Sequence, residues 1–120
     1  MGLDLSFHVK GDDTPILEMD RHYEFLTMFT SQPTARVYRG YDDFWVDDDI
    51  LDGVEMRLDQ RRIRAGLSEH ACLTEPFDRL RLSCPENLPQ DTLILLYRQA
   101  VVMLRTAIQD HDRLVCSWSA

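Results

Sequence analysis

Leu3, Leu5, Phe7 and Val9 alternate with Asp4, Ser6, His8 and Lys10, and this period of two predicts a half-buried strand. Gly11-Asp12-Asp13 supplies a turn. The next residues leave two readings open. Thr14-Pro15 can open a helix as N-cap and first helical residue, or Ile16 to Met19 can return as a short hairpin strand with Asp20 capping the helix that follows. In both readings Tyr23, Leu26 and Phe29 recur at helical spacing, the helix ends near Thr30, and Pro33 stops it. Ala35 to Arg39 reads as a short strand broken at Gly40, whereas Tyr41 to Val46 mixes aromatic and acidic residues without a clear period.

A helix is predicted over about residues 48 to 65. Asp47 offers the N-cap, Asp48, Asp49 and Asp52 put negative charge at its start, and Arg57, Arg61, Arg62 and Arg64 put positive charge toward its end. Both placements complement the helix dipole, and Gly66 ends the element despite Gly53 inside it. Residues 67 to 76 carry no assignment. Leu80 and Leu82 alternate with Arg79, Arg81 and Ser83 as a strand, and a loop runs from Cys84 to Pro89. The clearest helix spans Gln90 to Asp110, where Leu93, Leu96, Tyr97, Ala100, Leu104, Ala107 and Ile108 form an apolar stripe. Leu95, Val101, Val102 and Met103 widen that stripe, which predicts a central core element. Leu114, Cys116 and Trp118 alternate with Val115 and Ser117 as a final strand.

Strands at both ends with helices between them, out of βαβ order, predict an α+β fold. The expected architecture is one domain over residues 1–120: an antiparallel sheet containing the N- and C-terminal strands, packed on two or three helices. With 44% hydrophobic and 28% charged residues, composition fits one folded core rather than a disordered or repetitive chain. No apolar run reaches the ~20 residues of a bilayer-spanning helix.

Charge changes the functional picture more than size does. Twenty-one Asp and Glu face thirteen Lys and Arg, giving a net charge of -8 and a pI near 4.8. Nucleic-acid phosphates and anionic membranes repel such a chain, so neither direct nucleic-acid binding nor membrane binding is expected. Basic proteins are attracted by the same field. Cys72, Cys84 and Cys116 cannot all pair within one chain, and Asp4, Asp12 and Asp13 interrupt any signal-like segment, which points to a cytoplasmic protein with reduced thiols. Met1 to Ser6 formally fits an N-myristoylation pattern but reads more simply as the start of the first strand.

Candidate chemistry is sparse. His70 and Cys72, with Cys84, His111 and Cys116, lack the paired spacing of a zinc site, and the cysteines read as buried apolar residues. A calcium loop counted from Asp48 fails at Ile50 and at Asp59, where oxygen donation and a bidentate Glu are needed. No nucleophile elbow or phosphate-binding glycine loop occurs, so no catalytic residue, metal or cofactor is assigned. The remaining signal is the segment from Tyr41 to Glu55. Its seven acidic residues are joined by three aromatics and by no basic residue. Aromatics anchor interfaces and clustered carboxylates select basic partners. Asp42, Asp43, Phe44, Trp45, Asp47, Asp48, Asp49, Asp52 and Glu55 are therefore the candidate partner-binding residues. The plainer reading sends Phe44 and Trp45 into the core and leaves the aspartates as helix caps.

The Met1-Gly2-Leu3-Asp4 opening, continuing as Leu5-Ser6-Phe7-His8-Val9, resembles the start of small uncharacterised phage and bacterial proteins. The resemblance covers about ten residues, implies a phage, bacterial or mobile-element setting, and transfers no functional residue. The leading expectation is a small acidic, non-enzymatic binding module, an inhibitor engaging a basic nucleic-acid-binding protein. An immunity protein neutralising a basic toxin shares the same physics. A different class is a metal-assisted hydrolase using Asp residues with His22, His70 or His111.

Overall fold

A computed structural model describes residues 4–12, 14–32, 37–39, 43–71 and 88–119. The opening alternation forms β1 (Asp4–His8), which pairs antiparallel with β2 (Leu17–Asp20). This settles the open choice after the first turn in favour of the hairpin. Asp20 does not cap the following helix, α1 (Tyr23–Thr30). It closes β2, Arg21 turns the chain through a left-handed φ of 63°, and His22 takes the N-cap position without a side-chain cap. The His22 imidazole is instead buried in the core, where its Nδ1 shares a 2.7 Å hydrogen bond with Tyr97 Oη.

β3 (Val37–Arg39) pairs with β4 (Asp43–Val46), so the segment without a clear period contains an edge hairpin. Helix α2 spans Asp48–Ala65. Its ends follow the sequence signals: Asp47 accepts a hydrogen bond from the Ile50 amide, and Gly66, at φ 73°, donates back to the Arg62 and Ile63 carbonyls. Helix α3 spans Gln90–His111 and leads into β5 (Leu114–Ser119). The strand predicted around Leu80 and Leu82, and the cysteines Cys72 and Cys84, lie outside the described residues.

The sheet has the order β2-β1-β5-β4-β3 and is antiparallel throughout. The C-terminal strand is thus the centre of the sheet, inserted between two hairpins. Alternation assigns its faces. Leu5, Phe7, Leu17, Met19, Phe44, Val46, Leu114 and Cys116 are buried on the side that carries the helices. Phe7, Cys116 and Phe44 are direct cross-strand neighbours in one row. Phe25 and Phe29 of α1 pack on that row, and Phe25 stacks on Tyr97 of α3 with ring centroids 4.6 Å apart.

Helix α2 packs against both α1 and α3. Gly53 has a specific packing role there. A Cβ at this position would overlap the Gln32 amide, whose Nε2 donates to the Met28 and Ile50 carbonyls at 2.9 Å each. The glycine therefore admits the side chain that ties the end of α1 to α2. On α3, Ala100 and Leu104 are fully buried, but the wide stripe ends at Val102, which is 56% exposed. Helix α3 supplies core on one side and surface on the other.

Candidate functional site

The acidic segment does not form one patch, because a strand and a helix divide it between different surfaces. Asp42 lies outside the described residues. Phe44 is buried beside Phe29, with ring centroids 6.3 Å apart, and belongs to the core. Asp43 and Trp45, its neighbours in β4, turn to the opposite face of the sheet. Asp43 shares a cross-strand row with Ser117 and Ser6. It is half-buried, and its charge joins burial in pushing the Cys116 thiol up, burial being the larger cause. Trp45 lies in a row with buried Val115, and the Arg113 guanidinium sits 3.6 Å from its ring centroid.

The helical part of the segment is organised by a residue that sequence reasoning missed. Arg105, on α3, donates to Asp48 at 2.9 Å, to Asp52 at 2.5 Å and to Glu55 at 2.8 Å. One guanidinium thus gathers three carboxylates spaced along one side of α2. Hydrogen bonding to Glu55, followed by that to Asp52, raises Arg105 above its ordinary range against the opposing cost of burial. The carboxylates remain largely in solvent, with side-chain exposures of 65%, 69% and 47%. A sequence signal for Arg105 exists: Arg98 and Arg105 are the charged residues between Leu93 and Ile108 and stand seven apart, hence on one side of the helix. Asp47 is used as the cap, while Asp49 is exposed and makes no ion pair among the described residues.

A groove of about 420 Å³ runs between α2 and α3 beside this cluster. Leu58, Leu95 and Val102 give it apolar walls, and Glu55, Asp59 and Glu69 give it carboxylates. Arg98 closes one end by donating to the Glu69 and Ala71 carbonyls at 2.8 and 3.3 Å, which pins the turn after α2 onto α3. The histidines of the hydrolase reading are dispersed: His22 is in the core, His70 lines this groove, and His111 lines a separate depression at the end of α3. Among the described residues no three His, Cys, Asp or Glu side chains gather to hold a metal, and no helix is long and apolar enough to cross a membrane.

No protein-family model matches the chain, and neither the curated proteins nor the solved structures contain a match to it.

Proposed function

We propose that this chain is a non-enzymatic binding module that engages the basic, nucleic-acid-binding surface of another protein and inhibits it by standing in for phosphates. The observation that carries the reading is the density of carboxylates on α2. Asp48, Asp49, Asp52, Glu55 and Asp59 are all exposed on this helix. At a rise of 1.5 Å per residue they present one charge per ~3–4 Å of axis, close to the ~3.4 Å per charge of each strand of duplex DNA. Capping uses Asp47, Arg62 pairs with Asp59 at 3.3 Å, and Arg105 offsets only one of the three charges that it touches, which among the described residues leaves Asp49 and two further charges near the start of α2 without a cation of their own. The excess negative charge faces solvent, where it accelerates encounter with a basic surface and disfavours nucleic acid itself.

The setting we propose is the bacterial cytoplasm. The genes that flank this one separate an inhibitor in a phage or mobile-element context from an immunity protein beside a toxin.

The test uses two immobilised baits, wild type and Asp49→Asn/Asp52→Asn/Asp59→Asn, in bacterial extract at low salt. Proteins held by the wild type, absent from the variant and released by added duplex DNA or by salt are the expected result. Equal retention on both baits, or retention indifferent to DNA and salt, overturns the proposal.

A further inference from the structure

We infer that the outer face of the sheet, on the side away from the helices, is a self-association surface. Its occupant is a second copy of this chain, turned over by a two-fold axis lying between the two facing sheets. The inference goes beyond the acidic-module reading and does not depend on it.

The first observation is a segregation of charge along this face. Cross-strand register sets His8, Val115 and Trp45 in one row, and Glu18, Ser6, Ser117 and Asp43 in the next. Beyond the Trp45 row the face is cationic: the Arg113 guanidinium lies 3.6 Å from the Trp45 ring centroid and Lys10 Nζ 5.8 Å from it. The opposite corner is acidic, because Glu18 and Asp20 alternate with buried Leu17 and Met19 and stand exposed on the edge strand β2. Asp43, half-buried on β4, lies to one side of the line that joins these two ends.

The second is that these charges are not consumed within the domain. Among the described residues Glu18 and Asp20 make no ion pair, and Arg113 meets no carboxylate. Trp45 holds the exposed Arg113 guanidinium from one side, and its N–H groups remain to donate to a carboxylate.

The third is symmetry. Asp20 and Arg113 belong to strands two apart in the sheet. At ~3.3 Å per residue and ~4.8 Å between strands they are about 20 Å from one another across the face. A two-fold axis midway between them, near Ser6 and His8, brings Arg113 and Lys10 of each copy to Glu18 and Asp20 of the other. A two-fold interface uses the same patch on both partners, so a face with opposite charges at its two ends complements itself. A partner of a single sign would match one end and oppose the other. Ser6 and Ser117 in the middle are small enough for two sheets to approach. By the same spacings the face offers roughly 400 Å² per copy, below the size of a stable interface, so the association is weak. It leaves the carboxylates of α2, on the other side of the sheet, in solvent on both copies.

Sedimentation velocity of the purified full chain, from about 10 μM to about 1 mM, reads this association. In 0.15 M NaCl the screening length of ~8 Å damps repulsion between two chains of net charge -8 and acts much less on pairs in contact. The wild type should pass reversibly from monomer to dimer in that range. Arg113→Glu and Glu18→Arg/Asp20→Arg each oppose like charges and should dimerise at least about tenfold more weakly. An equimolar mixture of these two variants should recover the dimer, because each end then meets its opposite, and recovery also shows that both variants fold. Amide chemical shifts of the wild type that move with concentration should centre on Ser6, His8, Glu18, Trp45 and Ser117.

A wild type that stays monomeric at about 1 mM would overturn the inference. So would a mixture no tighter than either variant alone, or concentration-dependent shifts confined to α2 and α3, which would place any dimer on another surface. None of these outcomes touches the capture experiment, whose variant lies on α2 and whose failure is that of the acidic-module reading.

Discussion

Replacing Arg105 by Gln separates the structural use of the acidic cluster from its functional use. The substitution keeps a long polar side chain but removes the charge that meets Asp48, Asp52 and Glu55. Each of these pairs has an exposed carboxylate, and exposed pairs contribute ~0.2–1 kcal/mol. Releasing the three carboxylates to repel one another along α2 adds a few tenths more, because Asp48 and Asp52 are four apart and Asp52 and Glu55 three apart. The expected loss is about 1–2 kcal/mol at low salt. With a urea slope of roughly 1–3 kcal/mol/M, the midpoint should fall by roughly 0.5–1.5 M. In 1 M NaCl, where the screening length is ~3 Å, most of that difference should vanish. The assay is urea denaturation of both proteins at 0.05 and 1 M NaCl, repeated in a background where the three carboxylates are Asn or Gln. In that background Arg105→Gln should cost almost nothing. A loss above ~3 kcal/mol that persists in salt and in the neutralised background would refute the reasoning, since Arg105 would then act through packing. The acidic cluster would then lose its place as a solvent-facing feature with spare charge.

Three further outcomes follow from the packing and the buried groups. Leu104, which has no exposed surface, should cost ~2–5 kcal/mol on replacement by Ala through lost transfer energy and a cavity, read by calorimetry or denaturant melts. Gly53→Ala should be neutral or destabilise by up to about 2 kcal/mol. It displaces two hydrogen bonds worth roughly 0.5–1.5 kcal/mol each, against a helix-propensity gain of ~1 kcal/mol. In a Gln32→Ala background the same change should stabilise, and a double-mutant cycle reads the coupling directly. Burial raises both the Cys116 thiol and the Tyr97 hydroxyl, the latter against an opposing pull from Arg61. Groups raised in the folded state favour folding below their unfolded pKa values and cease to do so as pH climbs past them. Stability should therefore fall from about pH 9 upward, first through Cys116 and then through Tyr97. Melting temperature followed from pH 7 to 11 checks this, and Cys116→Ala should flatten the first part of the decline.

Elements whose information is local were legible in the sequence. The ends of α2 are written in Asp47 and Gly66, the body of α3 in its apolar stripe, and β1 and β5 in strict alternation. The α+β class, with both terminal strands in one antiparallel sheet, agrees with these signals, whereas the direct pairing of β1 with β5 is not derivable from them. What escaped depends on contacts distant in sequence. His22 stands at the start of α1 with its ring turned into the core toward Tyr97, 75 residues away, and the cap role that one of the two open readings gives to Asp20 is filled by no side chain. The apparent helix breaker Gly53 is explained only by Gln32 lying across it. The acidic segment was visible as a composition, but its division was not. The period of two in β4 sends Phe44 inward and Asp43 and Trp45 outward, and the turn into α2 carries the remaining carboxylates to another surface. Their shared counter-ion, Arg105, lies 50 residues or more downstream.

Association rate is the most direct readout of the central claim that the spare carboxylates of α2 draw this protein onto a basic, nucleic-acid-binding surface. The measurement is stopped-flow binding to a captured partner between 0.05 and 0.5 M NaCl, with wild type and the Asp49→Asn/Asp52→Asn/Asp59→Asn variant. The account predicts that the wild-type rate falls steeply with salt, that the variant starts at least tenfold slower and falls less, and that their dissociation rates stay within a few-fold of each other. Superimposable rates for the two proteins at every salt concentration would contradict it.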